Sequence, residues 1–494
     1  MKTTLLFSAL LLPLSVAAQT VSSPNGAISV SLSLADGGRP TYEMTYKGRP
    51  VVKPSHLGLE LAKDKHATKG FAETSLMDGF TESHSEVSSF DETWKPVWGE
   101  TATIRNHYNE LLVSLSQDHT GRQMNIRFRV YDDGMGLRYE FPQQDSLVYF
   151  IVKEEHTQFA MTGDHTAWWL PGDYDTQEQE TQESRLSEIR ARFHDAVNWS
   201  NSSVANFSET GVQTSLQMKS QDGLYINIHE AALVNYPAMH LNLDDKHMVF
   251  ESWLTPDATG NKAYVQVPFN TPWRTVMVSD DARDMLSSNL ILNLNEPCKI
   301  EDTSWIHTTK YCGVWWEMIV GKSSWNYTDD LPSVDIYKVD WNHVRPNGRH
   351  AANTENVKRY IDFAAKNGLQ EVLVEGWNIG WEDWANRWKW DVFDFVTPYP
   401  DFDIQYLNEY AHSKGVKLMM HHETSSSTIN YERHLEDALN LMNRYGYDAV
   451  KTGYVGDIIP RGDFHFSQSM VNHYQYVVEQ AAKHHVMVNG HEAV

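Results

Sequence analysis

Two rhythms of apolar and polar residues divide the 494-residue chain. Up to about residue 290 the rhythm is alternation. Ile28-Ser-Val-Ser-Leu-Ser-Leu34 has a strict period of two, and Leu111–Leu115, Met124–Val130 and Gly136–Phe141 repeat it. Strands with one buried face carry this pattern. The turn pairs Asn25-Gly26, Asp36-Gly37-Gly38, Asp133-Gly134 and Asp222-Gly223 punctuate it. Many short strands with such turns predict an antiparallel β-sandwich over residues 19–290. A Glu- and Gln-rich stretch, residues 172–196, interrupts it and reads as a long loop or short helix; a loop of that length usually has a function.

After a linker at 291–310 the rhythm changes. Short apolar runs at Tyr311–Trp316, 371–375, 416–422, 448–453 and 486–491 alternate with helical patterns. The first helix starts at Asn353 or Thr354, runs through Ala365 and is ended by Asn367-Gly368; others cover 403–413, 431–445 and about 467–484. Strand followed by helix, repeated, is the grammar of a parallel barrel. Five strands are counted against the eight of a closed barrel. The expected fold is therefore a multidomain β plus α/β chain: a β-sandwich, then a (β/α)8 TIM barrel over residues 311–494 truncated after about five strands.

The barrel-type strands share an ending. Val416-Lys-Leu-Met-Met-His421-His422-Glu423-Thr424 begins as a buried strand and finishes in two imidazoles and a carboxylate. Glu371-Val-Leu-Val-Glu375-Gly376-Trp377, Ala449-Val-Lys451-Thr452-Gly453 and Val486-Met-Val-Asn-Gly-His491-Glu492 end similarly. Polar residues at the carboxyl ends of several parallel strands indicate a barrel active site, with His421 and Glu423 on its rim. Two carboxylates, Glu423 and Glu492, could perform acid and base work on a glycosidic bond. In the inverting form of that chemistry they stand roughly 6.5–9.5 Å apart. Carboxylates beside His equally suit a metal.

A formal charge of −24 argues against nucleic acid or an anionic membrane as partner and suits a neutral ligand or a bound cation. The 17 Trp and 23 Tyr serve as core filler or as stacking faces for sugars. Residues 1–18 read as a secretory signal: Lys2, the apolar run Leu5–Leu14, then Val16-Ala17-Ala18 as the cleavage site. The run is too short to span a bilayer, so export to the periplasm is expected without membrane insertion. Cys298 and Cys312 allow one disulfide or two free thiols.

Trp315-Trp316-Glu317, Val374-Glu375-Gly376-Trp377, His421-His422-Glu423-Thr424, Val450-Lys451-Thr452-Gly453 and Asn489-Gly490-His491-Glu492 together resemble glycoside hydrolase family 97. These are calcium-dependent α-glucosidases and α-galactosidases of Bacteroidetes. The resemblance covers essentially the whole chain after the signal. It implies an N-terminal β-supersandwich, a (β/α)8 barrel and a small C-terminal β domain, the last absent here. It further implies that Glu492 binds Ca2+ and helps activate water, and that Glu423 is the second glutamate of a general-base pair. Glu178, or Glu180 in its stead, falls where the N-terminal domain supplies a calcium ligand. Trp315, Glu375, His421, Lys451 and His491 match residues lining the sugar subsite.

Retaining members of the family carry an aspartate nucleophile at the end of the fourth strand. Here that run is Lys451-Thr452-Gly453, which resembles the inverting α-glucosidase branch; Asp457 is the one nearby carboxylate that could contest this. The family's general acid lies downstream of the position matching Glu492. It would fall after Val494, so the 494-residue chain alone is expected to lack it and to be inactive or unstable. The expected function is an exo-acting, calcium-dependent, inverting α-glucosidase acting on starch-type or isomalto-type α-glucans. The alternatives are a retaining α-galactosidase and a carbohydrate-binding protein that has lost catalysis.

Overall fold

The computed structural model describes residues 18–63, 73–384 and 386–491. The expected signal segment, apart from Ala18, and Glu492 lie outside the described residues. The N-terminal half is built from antiparallel sheets of eight, ten and four strands among the described residues. Alternation has the predicted result. In Ile28–Ala35 the side chains of Ile28, Val30 and Leu32 are buried, and Gln123–Val130 alternates in the same way. The two large sheets contribute to one core, where Tyr42 of one meets Phe128 of the other at 6.0 Å.

At the heart of this half lies a fully buried ion network. Arg274, with no exposed surface, donates from Nε and Nη2 to the two carboxylate oxygens of Glu155, each at 2.8 Å. Its Nη1 donates to Glu230 Oε2 at 2.6 Å, and the Tyr236 hydroxyl donates to Glu155. Burial pushes the Glu230 carboxyl up to about 7 despite the guanidinium beside it.

The polar stretch at 172–196 divides in two. A loop leaves Thr166–Trp169 and returns as the strand Gln182–Arg185, which leads into the helix Ile189–Ala196. Two short helices that the apolar pattern did not announce, Arg283–Ser287 and Leu290–Leu294, follow the last sandwich strand. Leu290 and Leu294 pack beneath Trp273.

The C-terminal half is a parallel sheet of five strands in chain order: β1 (Tyr311–Val314), β2 (Glu371–Val374), β3 (Lys417–Glu423), β4 (Ala449–Gly453) and β5 (Met487–Gly490). Strand β1 stops two residues before the expected Trp316. Trp315 leaves the extended region (φ −159°, ψ −53°), and its carbonyl accepts from Met318 and Ile319 to start a short helix. Helices α1 (Thr354–Asn367), α2 (Ile404–Ser413), α3 (Thr428–Tyr445) and α4 (Gln468–Lys483) cover one face. Asn353 caps α1 by accepting from the Asn356 amide, and Gly368 closes it in the left-handed region. Asp403 and Ser467 cap α2 and α4 in the same manner.

Strand parity sorts the side chains. Val372, Val374, Leu418, Met420 and Val450 face the helices and share a core with Val357, Leu407, Leu439 and Val477. Leu373, Met419, Ala449 and Met487 face the other way and form a separate inner cluster. Trp305 and Ile306 of the preceding linker pack into that cluster. His422 has helix-side parity: its Nδ1 lies 2.9 Å from the Tyr431 hydroxyl of α3, and burial lowers the ring to about 3. Cys312 in β1 is half-buried, Cys298 is exposed, and both are free thiols.

Removing Arg274 would strand two carboxylates in the sandwich core. Arg274→Ala is expected to lose roughly 3–5 kcal/mol of stability, read from urea unfolding. A loss below about 1 kcal/mol, the scale of an exposed ion pair, would show that the network holds nothing together.

Candidate active site

The inner face of the sheet carries its chemistry in layers. Above the apolar layer, in register, stand Glu375 at the end of β2, His421 on β3, Lys451 on β4 and Asn489 on β5. One layer further toward the carboxyl ends come Glu423 opposite Gly453, then His491 just beyond β5. Parity accounts for the spacing: 375, 421, 451 and 489 each lie two residues after an inner apolar residue.

Glu375 is the hub of the lower layer. Its Oε1 receives Lys451 Nζ at 3.0 Å and faces His421 Nε2 at 3.6 Å, while its Oε2 accepts from the Trp325 indole at 3.1 Å. The Lys451 ammonium lies over the Trp315 ring, 5.6 Å from its centre, an arrangement attractive through the ring quadrupole. Trp381 lies nearly parallel to His421 at 5.8 Å, and Trp325 and Trp384 extend the aromatic wall. Trp377 donates its indole N–H to the His421 carbonyl at 2.9 Å. Burial holds the His421 imidazole well below its ordinary value, and the Lys451 ammonium pushes in the same direction. At neutral pH the ring is therefore uncharged, and its buried Nδ1 has no hydrogen-bond partner among the described residues.

Glu423 is buried and its carboxylate is fixed by backbone. Oε1 accepts from the amides of Ser425 at 2.8 Å and Val455 at 3.1 Å. Oε2 lies so close to Gly453 that a Cβ there would stand 2.3 Å from it. Glycine at 453 is thus required by the approach of the Glu423 carboxylate, since its own backbone is ordinary extended strand.

The sandwich reaches this end of the sheet. From the loop at 172–181, Asp175 Oδ1 accepts from the His465 amide at 3.0 Å and stands 2.9 Å from His465 Nδ1. Ser203 donates to both Asp175 and Asp457. Asp457 is thereby held in the seam between the two halves. Glu178, on the same loop, is exposed, and its backbone is held by the Thr176 hydroxyl and the Asn201 amide. Burial is the main cause lowering the His491 imidazole, aided by Lys451 and opposed by Glu178 and Glu375. The Glu178 carboxylate therefore acts at the end of β5. It makes no hydrogen bond or salt bridge of its own among the described residues, so this hard oxygen donor is uncommitted. That is the donor chemistry a calcium ion takes. Glu180 is exposed and contributes its carbonyl to Gln182.

The structure thus brings Trp315, Glu375, His421, Lys451, Glu423 and His491 to one end of one face, within electrostatic reach of the Glu178 carboxylate. Trp325 and Trp381 also line this site and escaped the sequence reading. They sit in connections between strands, where no period marks them; the Trp density over 377–390 was an available signal for Trp381, and Trp325 had none.

Residues 21–297 match the glycosyl-hydrolase 97 N-terminal domain, and residues 315–494 match the glycoside hydrolase 97 domain. The chain is 26% identical, over 526 aligned positions, to a retaining α-galactosidase of Bacteroides thetaiotaomicron, covering 99% of this chain and 67% of the relative. A probable retaining α-galactosidase of Streptomyces bingchenggensis is 24% identical, covering 96% and 62%. A solved glycoside hydrolase family 97 enzyme from a Pseudoalteromonas strain, in complex with acarbose, superposes with a TM-score of 0.81 at 35% identity, covering 96% of this chain and 66% of that one. A variant of that enzyme has been solved with panose. The chain spans about two thirds of the length of these relatives. With both of its halves matched, and with the site assembled where the two meet, the chain belongs to glycoside hydrolase family 97.

Proposed function

We propose that this protein is an exo-acting, calcium-dependent, inverting α-glucosidase that releases glucose from α-glucans. One observation carries the reading: the carboxylate of Glu423 occupies the space beside Gly453. A retaining mechanism places a carboxylate nucleophile against the sugar, whereas an inverting one needs a base that activates water. At position 453 any side chain would displace Glu423, and Asp457 is engaged by Ser203 in the seam. Glu423 suits the base: two backbone amides pin its Oε1 and so fix the carboxylate at the end of the sheet, oriented to take a proton from a water attacking the anomeric carbon. Glu492 is assigned as the second carboxylate of the pair. No described carboxylate is assigned to protonate the leaving oxygen; Glu375 is committed to Lys451 and Trp325.

The sugar ring is placed against Trp315, with hydroxyls reaching Lys451, Glu375, the neutral His421 and His491. Such a site recognises hydroxyls through both charged and uncharged partners, and burial strengthens each bond. Calcium, held by Glu178 and Glu492, would supply positive charge beside the reacting sugar. The complexes of the Pseudoalteromonas enzyme with acarbose and panose favour an oligosaccharide substrate. The N-terminal segment supports export to the periplasm, and no described helix is long and apolar enough to cross a membrane.

A second reading, a retaining α-galactosidase, is favoured by the descriptions of the Bacteroides and Streptomyces relatives. It requires a carboxylate nucleophile from elsewhere on the inner face. Initial rates of the whole protein, rather than of these 494 residues alone, on p-nitrophenyl α-glucoside and α-galactoside separate the two. The proposal predicts faster turnover of the glucoside; galactoside preference would overturn it.

Glu423→Gln keeps an acceptor for the two backbone amides but removes the base. Its kcat is expected to fall by ~10²–10⁴-fold, with an unchanged far-UV spectrum. Gly453→Ala is expected to lower kcat by at least about tenfold, since it moves Glu423; wild-type kcat in that variant would contradict the packing argument. Treatment with EGTA is expected to abolish turnover and added Ca2+ to restore it. Glu178→Gln is expected to raise the Ca2+ concentration giving half-maximal activity; an unchanged calcium titration would remove Glu178 from the ligand set.

A further inference from the structure

The inner face of the sheet has a second polar layer, at the end opposite the candidate active site. Glu371, the first residue of β2, shares the parity of Leu373 and Glu375 and lies about 13 Å along the strand from Glu375. It is 1% exposed, and both of its carboxylate oxygens are buried without a hydrogen-bond partner among the described residues. Burial raises its carboxyl, Asp448 adds to that, and the Thr309 hydroxyl comes near enough to oppose it without completing a hydrogen bond.

Asp448 directly precedes β4. Its Oδ2 pairs with Lys417 of β3 and stands 3.6 Å from His307 Nε2; its Oδ1 is buried and unpartnered. Ligand-type atoms of His307, Glu371 and Asp448 all lie within 4.8 Å of one another. The linker brings His307 there: Trp305 and Ile306 pack against Leu373, Met419, Ala449 and Met487, and the His307 amide bonds the Met487 sulfur. His307 and Lys417 keep roughly half their side-chain surface exposed, so the cluster opens to solvent on one side.

An ionised carboxylate with two orphaned oxygens is costly to bury, and either a proton or a cation relieves it. A shared proton would satisfy one oxygen of Glu371 and Asp448 Oδ1. It would leave the second Glu371 oxygen orphaned. A metal uses all three groups. We propose that His307, Glu371 and Asp448 bind a divalent transition-metal ion of the zinc class, stapling the linker to the strand starts. The donor set selects that class: one imidazole nitrogen and two carboxylates suit zinc or cobalt, whereas calcium takes oxygen donors alone. Three protein ligands and one solvent position would complete a tetrahedron, with Lys417 balancing the charge on Asp448.

The test is a Co2+ titration of the chelator-stripped protein, followed by visible absorption, with saturating Ca2+ present to occupy any calcium site. One equivalent of Co2+ is expected to bind with the intense bands of a four-coordinate ion, and Zn2+ to displace it while raising Tm. Glu371→Gln and the milder, exposed-side His307→Asn are each expected to weaken Co2+ binding by at least about tenfold, with calcium-dependent glycosidase kinetics unchanged. No saturable Co2+ band, or equal binding in His307→Asn and wild type, would overturn the proposal. So would a wild-type Tm that Zn2+ leaves unchanged, which is the signature of a shared proton.

Discussion

The carboxylate of Glu423, pressed against a strand position that has no side chain, ties the carboxyl end of the sheet together. One oxygen receives amides from the loop after β3 and the loop after β4, so a single side chain fixes two connections. The other oxygen fills the space above Gly453. Everything around it must respect that placement. A larger residue at 453 would push Glu423 out, and a rotated Glu423 would leave the Ser425 and Val455 amides without the acceptor they share. The preorganisation required of the proposed general base is therefore built from backbone, which cannot relax easily.

Strand parity carries the same order through the rest of the inner face. Glu371, Leu373 and Glu375 on β2, and Lys417, Met419, His421 and Glu423 on β3, are single rows read from one end to the other. The apolar middle layer separates two polar ends, one facing the sandwich and one closed by the linker. The sandwich contributes the loop at 172–181, where Asp175 grips His465 and the Glu178 carboxylate acts electrostatically on His491. That loop belongs to the same domain whose core holds the Arg274 network.

Much of this is legible in the sequence because periodicity is local. Alternation in Ile28–Leu34 and the apolar runs ending in His421-His422-Glu423 announce a sandwich followed by parallel strands, and they separate His421 from His422 by parity alone. The resemblance to family 97 brought Glu178 into view; composition marked only a polar loop. What was hidden is non-local. Trp325 and Trp381 reach the site from irregular segments, and the short helices at 283–294 exist because Leu290 and Leu294 find Trp273. The packing reason for glycine at 453 is non-local as well: Glu423 Oε2, from the neighbouring strand, comes too close for a Cβ.

The central claim is that Glu423 activates water directly and that no glycosyl-enzyme forms. Proton NMR of the first turnovers on an α-glucoside in the presence of Ca2+ tests it most directly. The account predicts that β-glucose appears first and α-glucose grows in only by mutarotation. First appearance of the α-anomer would contradict it and require a nucleophile that the inner face as described does not present.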